Sequence, residues 1–162
     1  MNKLLFVILM MALSSPAISE TVTVNVTVPI INEEPYHRPY MAVWIETPER
    51  IGVKTLAVWH EKKKWLKDLR QWWRKLGREN SAHYDAVTKA TPKPGDYQLE
   101  WNGKDTAGNP LAAGYYFVCI EAAREDGGRD FIKQKIQLGM HTPQTYVLDA
   151  KPEIGPIRIH IK

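Results

Sequence analysis

Thr21-Val22-Thr23-Val24-Asn25-Val26-Thr27-Val28 alternates without a break, with valine at every even position and a threonine or asparagine at every odd one. A repeat of two is the period of an extended strand. A strand with one apolar and one polar face belongs half-buried in an antiparallel sheet. Such a strand needs neighbours to pair with and a second layer to cover its valines.

The chain downstream supplies both. Tyr40 to Glu46 and Val53 to His60 read as strands, joined by Thr47-Pro48-Glu49-Arg50-Ile51-Gly52 as a hairpin connection. The Pro- and acid-rich stretch from Ile31 to Pro39 reads as a loop. Tyr97 to Trp101, Tyr115 to Arg124, Phe131 to Leu138 and Ile157 to Ile161 are further strands. Ala107-Gly108-Asn109-Pro110 and Asp126-Gly127-Gly128 provide turns between them. Short strands separated by turn residues predict a mainly β protein, an immunoglobulin-like antiparallel β-sandwich.

One segment breaks the rhythm. Between Glu61 and Arg78 the apolar period lengthens to that of a helix: Trp65, Leu69, Trp72 and Leu76 share a wedge of about 60°, widened to about 120° by Leu66 and Trp73. Lys63, Lys64, Lys67, Arg70, Arg74, Lys75 and Arg78 fall opposite. The pattern predicts one amphipathic, basic helix inserted into a crossover, with Gly77 as its C-terminal cap. The stripe is expected to pack on a sheet. Trp73, at its edge, is the helix residue placed to touch a ligand or partner.

The N-terminus carries Lys3, then an apolar run from Leu4 to Leu13, a break at Ser14-Ser15-Pro16, and the small-residue site Ala17-Ile18-Ser19. This is the pattern of a secretory signal peptide cleaved between Ser19 and Glu20. The expected product is one exported, periplasmic domain, residues 20–162. Loss of Lys3 takes the formal net charge from +4 to +3, too weakly basic to argue for nucleic acid as a partner. The single cysteine, Cys119, excludes an internal disulfide and lies within an apolar strand, where a buried thiol is expected.

Ala42-Val43-Trp44-Ile45-Glu46, Lys54-Thr55-Leu56-Ala57-Val58-Trp59, Trp65-Leu66-Lys67-Asp68-Leu69-Arg70-Gln71-Trp72-Trp73, Gly114-Tyr115-Tyr116 and Glu121-Ala122-Ala123-Arg124-Glu125 resemble a bacterial periplasmic family known as domain of unknown function 2271. The resemblance runs from about Tyr40 to Ile159. It implies an exported single domain, often encoded beside membrane redox proteins and flavin transferases. A second resemblance is local: Trp101-Asn102-Gly103-Lys104-Asp105 through Gly108-Asn109-Pro110-Leu111 to Gly114-Tyr115 is similar to a hairpin of the immunoglobulin-like domain of flagellar hook-capping proteins. Its physical content is turn chemistry, with Asp105 bonding nearby backbone N–H groups.

Asp85-Ala86-Val87-Thr88-Lys89-Ala90-Thr91 resembles the acceptor site at which a flavin transferase esterifies FMN onto a threonine. The resemblance makes Thr91 the acceptor, with Asp85 and Thr88 as recognition positions. Tyr84, one residue away, and Trp73 are aromatic surfaces against which an isoalloxazine could stack. Lys89 departs from the Gly or Ser common at its position, and Pro92 restrains the loop; Lys89 and Lys93 could offset the phosphodiester charge. A plain polar loop whose hydroxyls cap turns accounts for the same residues.

Other chemistries have little support. The five histidines are dispersed without metal-ligand spacing, and neither a haem-attachment motif nor a serine nucleophile elbow occurs. The sequence therefore predicts an electron carrier, with FMN covalently held at Thr91, a flavin transferase and a membrane redox protein as partners, and an anionic membrane surface within reach of the basic face. The alternative is an unmodified sandwich that docks a membrane or periplasmic partner through that face and Trp73. An exported enzyme ranks third.

Overall fold

The computed structural model describes residues 20–78 and 81–162, so the signal-peptide reading lies outside the described residues. Nine strands follow in chain order among them: β1 (Val22–Val28), β2 (Tyr40–Glu46), β3 (Gly52–Trp59), β4 (Thr88–Lys89), β5 (Gly95–Trp101), β6 (Gly114–Ala123), β7 (Arg129–Leu138), β8 (Gln144–Leu148) and β9 (Ile157–Ile161). They form two sheets, of order β5-β1-β9-β8 and β4-β3-β2-β6-β7. All pairings are antiparallel except β3 with β4. The protein is the mainly β sandwich that its alternation predicts.

The opening strand lies between two partners, with Val24 opposite both Leu99 and Ile159. Its four valines are fully buried against Met41, Val43, Ile45, Val118 and Ile120 of the other sheet. Strand β2 is buried along its whole length, because the two faces of its sheet are both covered. Met41, Val43 and Ile45 enter the core between the sheets. Tyr40, Ala42 and Trp44 enter a second apolar cluster beneath the crossover from β3 to β4.

That crossover is where the structure departs from the predicted helix. A 3-10 turn (Lys63–Asp68), a single α turn (Arg70–Trp72) and a π turn (Trp73–Gly77) replace the continuous helix. The break is at Leu69, with φ −76° and ψ 67°. Its cause lies on β6. The fully buried Glu121 carboxylate accepts the N–H of Gln71 at 2.9 Å and of Trp72 at 3.0 Å, capping the restarted turn from below. The change of pitch spaces the buried residues three apart, at Leu66, Leu69 and Trp72, and leaves Trp65 and Leu76 half-buried.

Two residues change roles as a result. Lys75 is not on the solvated face; it turns in to an ion pair with Glu46, itself fully buried and also bonded by Lys133 and the Trp44 indole. Gly77 is no helix cap. A Cβ there would stand 2.6 Å from Cζ3 of Trp72 and 2.8 Å from Cε3 of Trp73, so glycine is required by the closeness of the indoles.

Residues 102–113 fold back on themselves as a small hairpin, with Lys104 bridged antiparallel to Pro110 and the Leu111 N–H donating to the Gly103 carbonyl at 2.9 Å. Strands β5 and β6 belong to opposite sheets, and the segment is a corner that carries the chain between them. Its turn chemistry is as expected: Asp105 accepts the Asn109 N–H at 2.8 Å, and Gly108 has φ 89°. Cys119 is fully buried, and burial, with the Glu46 carboxylate nearby, pushes its thiol far above the ordinary range.

Candidate functional site

The acceptor-like segment leaves the crossover as one 3-10 turn (Asp85–Val87) followed by the two-residue strand β4 at the edge of the five-stranded sheet. Asp85 is exposed. Thr88 Oγ1 donates to the Tyr84 carbonyl at 2.9 Å and so closes the turn. Tyr84 is buried, edge-on to Trp72 with ring centres 4.9 Å apart; it is part of the second apolar cluster rather than an open wall beside the loop. Lys89, Ala90, Lys93 and Pro94 are exposed.

Thr91 itself is not an exposed loop hydroxyl. It is 2 % exposed, and its Oγ1 donates to the Pro39 carbonyl at 2.7 Å. The Arg38 guanidinium reaches the Thr91 carbonyl at 3.4 Å and pairs with Glu61 at 3.5 Å. The backbone is strand-paired as far as Lys89 and resumes pairing at Gly95, opposite Val28. The acceptor thus lies in a short unpaired stretch.

Two further residues, one beside β4 and one stacked on the residue that follows Pro39, were not singled out for a site by the sequence. The His60 N–H donates to the Lys89 carbonyl at 2.9 Å, while both ring nitrogens of His60 are buried without a hydrogen bond. Burial, with a contribution from Lys63, holds the imidazole below its ordinary value and keeps it neutral. Trp65 stacks on Tyr40 at 6.3 Å and 13°, and its Nε1–H is likewise buried without a partner. Buried polar atoms are nearly always hydrogen-bonded, so orphaned ones point to an unfilled interaction. The signal in sequence was only a histidine ending an apolar strand.

Trp73 lies elsewhere. It is half-buried, tilted against Trp72, and lines a surface cavity with Lys67, Arg70, Gln71, Arg74 and Arg129, none of them from the acceptor segment. Arg129 enters from β7 and is held by Glu121 at 2.9 Å. Among the described residues no group of His, Cys, Asp and Glu could hold a metal ion, and no helix is long and apolar enough to cross a membrane.

The profile of a family described as predicted periplasmic protein (DUF2271) matches residues 21–156, which takes in every strand but β9 and the whole crossover. The chain belongs to that family. No curated protein and no solved structure matches it. For this DUF2271 protein the family gives the compartment, and the chemistry must be argued from the residues. The two places that invite an argument are the Thr91 segment with His60, and the basic cavity around Trp73.

Proposed function

We propose that this DUF2271 protein is a periplasmic carrier of FMN, held as a phosphoester on Thr91 and exchanging electrons with a membrane redox protein. The observation that carries the reading is the order Asp85, Thr88, Ala90, Thr91, whose last two residues lie in the unpaired stretch between β4 and β5. Attachment is a group transfer performed by a separate transferase. Thr91 Oγ1 bonds to the FMN phosphorus of an activated flavin nucleotide. The bond from that phosphorus to its leaving nucleotide breaks, and the hydroxyl proton passes to a base of the transferase.

The buried hydroxyl does not stand in the way. Releasing Thr91 gives up one hydrogen bond and one buried methyl, together about 2–4 kcal/mol. At about 1.4 kcal/mol per tenfold, roughly 0.1–3 % of molecules would present the hydroxyl at any moment, enough for a transferase to capture. After transfer the ester oxygen has no proton, so the bond to Pro39 cannot re-form. The loop is then free to settle on new partners. His60 and the Trp65 indole offer unfilled hydrogen-bonding atoms in this part of the molecule, and Lys89 and Lys93 are exposed beside the phosphodiester. FMN would supply the redox chemistry, and these residues would position it.

A second reading is favoured by the same bond. Because the Thr91 hydroxyl is already satisfied, the sandwich can work unmodified, docking its partner through the exposed Lys67, Arg70 and Arg74. Co-expression with an active flavin transferase separates the two. The carrier predicts a mass increase of FMN less water and a yellow colour that survives denaturation, both lost in Thr91→Ala. Unmodified mass beside an active transferase sinks the carrier and leaves the docking module.

A further inference from the structure

The cavity around Trp73 has a volume of about 350 Å³ and is lined by Lys67, Arg70, Gln71, Trp73, Arg74 and Arg129. Its four cations come from two parts of the chain: Lys67, Arg70 and Arg74 from three successive turns of the crossover, each of different pitch, and Arg129 from the first residue of β7. Among the described residues, only one of them is neutralised. Glu121 pairs with Arg129, and the same carboxylate is already committed to the N–H groups of Gln71 and Trp72. Among the described residues, no carboxylate forms an ion pair with Lys67, Arg70 or Arg74.

The arrangement is more ordered than a solvated basic face. Arg129 is anchored by its bond to a fully buried carboxylate, and Arg74 Nε donates to the Arg70 carbonyl at 3.1 Å, which restrains its guanidinium. Three guanidinium groups and an ammonium share one opening, with an excess of three positive charges over the carboxylates paired to them among the described residues. That excess suits a dianion better than a single carboxylate. The separate origins of the donors suit a tetrahedral oxyanion, which accepts along several directions, better than a planar group that accepts in one plane. Half-buried Trp73 adds an apolar wall for whatever bears the anion.

We propose that this cavity binds the phosphate group of an organic phosphate, whether a soluble phosphomonoester or an anionic phospholipid headgroup. The site stands apart from the Thr91 segment and holds whether or not Thr91 is modified.

The test uses the mature, unmodified chain titrated with glycerol 3-phosphate and followed by the indole N–H resonance of Trp73, assigned with Trp73→Phe. In a parallel arm, the protein is sedimented with vesicles of phosphatidic acid or of phosphatidylcholine. The expected result is a saturable shift, weakened about tenfold or more by Arg70→Ala and by Arg74→Ala and unchanged by Lys162→Ala, an exposed lysine just after β9 on the other sheet. Arg70→Lys, which keeps the charge and loses the fork, should fall between. Sedimentation with phosphatidic acid but not phosphatidylcholine, abolished by Arg70→Glu, identifies the lipid as the source. Saturable glycerol 3-phosphate binding without sedimentation identifies a soluble ligand. The proposal is overturned if neither probe binds, or if Lys162→Ala weakens binding as much as the cavity variants do.

Discussion

Thr91 is the position at which structure and chemistry make the sharpest joint demand. As a loop hydroxyl it would contribute little to stability. Buried to 2 % and bonded at 2.7 Å to the carbonyl of buried Pro39, it should contribute a good deal more. Thr91→Val keeps the shape and removes the donor, leaving the Pro39 oxygen unsatisfied at a cost of about 1–3 kcal/mol. Thr91→Ser keeps the donor and removes a methyl, about 0.8 kcal/mol. Thr91→Ala does both, for about 2–4 kcal/mol. Urea unfolding of the flavin-free mature chain reads the series. With a slope of roughly 2 kcal/mol per molar urea, the alanine midpoint should fall by about 1–2 M and the serine midpoint by less than half of that. Serine retains the acceptor oxygen and should still take up flavin, whereas valine and alanine should not. Attachment itself removes the Thr91 proton, so modified wild-type protein should show faster amide exchange around residues 38–40 and 90–95. A valine variant as stable as wild type would refute the hydrogen bond, and with it the claim that modification must rearrange this loop.

Leu69→Ala should destabilise by about 2–5 kcal/mol, since Leu69 is fully buried, whereas exposed Arg74→Ala should change stability by less than about 0.5 kcal/mol; equal effects by chemical denaturation would mean that the buried face is wrongly assigned. Gly77→Ala, a change that favours an ordinary helix, should here cost about 1–3 kcal/mol, because its methyl meets the Trp72 and Trp73 rings; a stabilised variant by thermal unfolding would contradict that packing. His60 is held below its ordinary value of 6.5, so the unfolded chain takes up a proton that the folded protein refuses. Its contribution is therefore complete above about pH 6.5 and falls away as the pH drops below it, and His60→Gln should flatten that part of the stability–pH curve. An unchanged slope in the variant would assign the effect to other groups.

How much could be read from the sequence depended on the range of the interactions. Strict alternation from Thr21 to Val28 and the apolar run from Tyr40 to Glu46 announce themselves in a few consecutive residues, and both strands lie where they were expected. The burial of Cys119 follows in the same way from its apolar neighbours. Strand β4 is only two residues long, too short to display a period, and β8 is a five-residue edge strand paired with β9. The acceptor-like order of Asp85, Thr88 and Thr91 was visible in the sequence, but the burial of Thr91 was not.

The amino-acid sequence by itself determined the layered β architecture, the one segment of helical period, and the apolar stripe that packs beneath it. Each of these follows from side chains that repeat at the spacing of the backbone. Only the tertiary structure decided that the helix breaks at Leu69, that Lys75 turns inward, that Thr91 is bonded to Pro39 and that Arg129 completes a basic cavity. In the first three of those cases the deciding partner is distant in the chain: Glu121 lies 50 residues from Gln71, Glu46 lies 29 from Lys75, and Pro39 lies 52 from Thr91. A buried carboxylate or carbonyl must find a donor wherever the fold brings one, and no local pattern records which residue that will be.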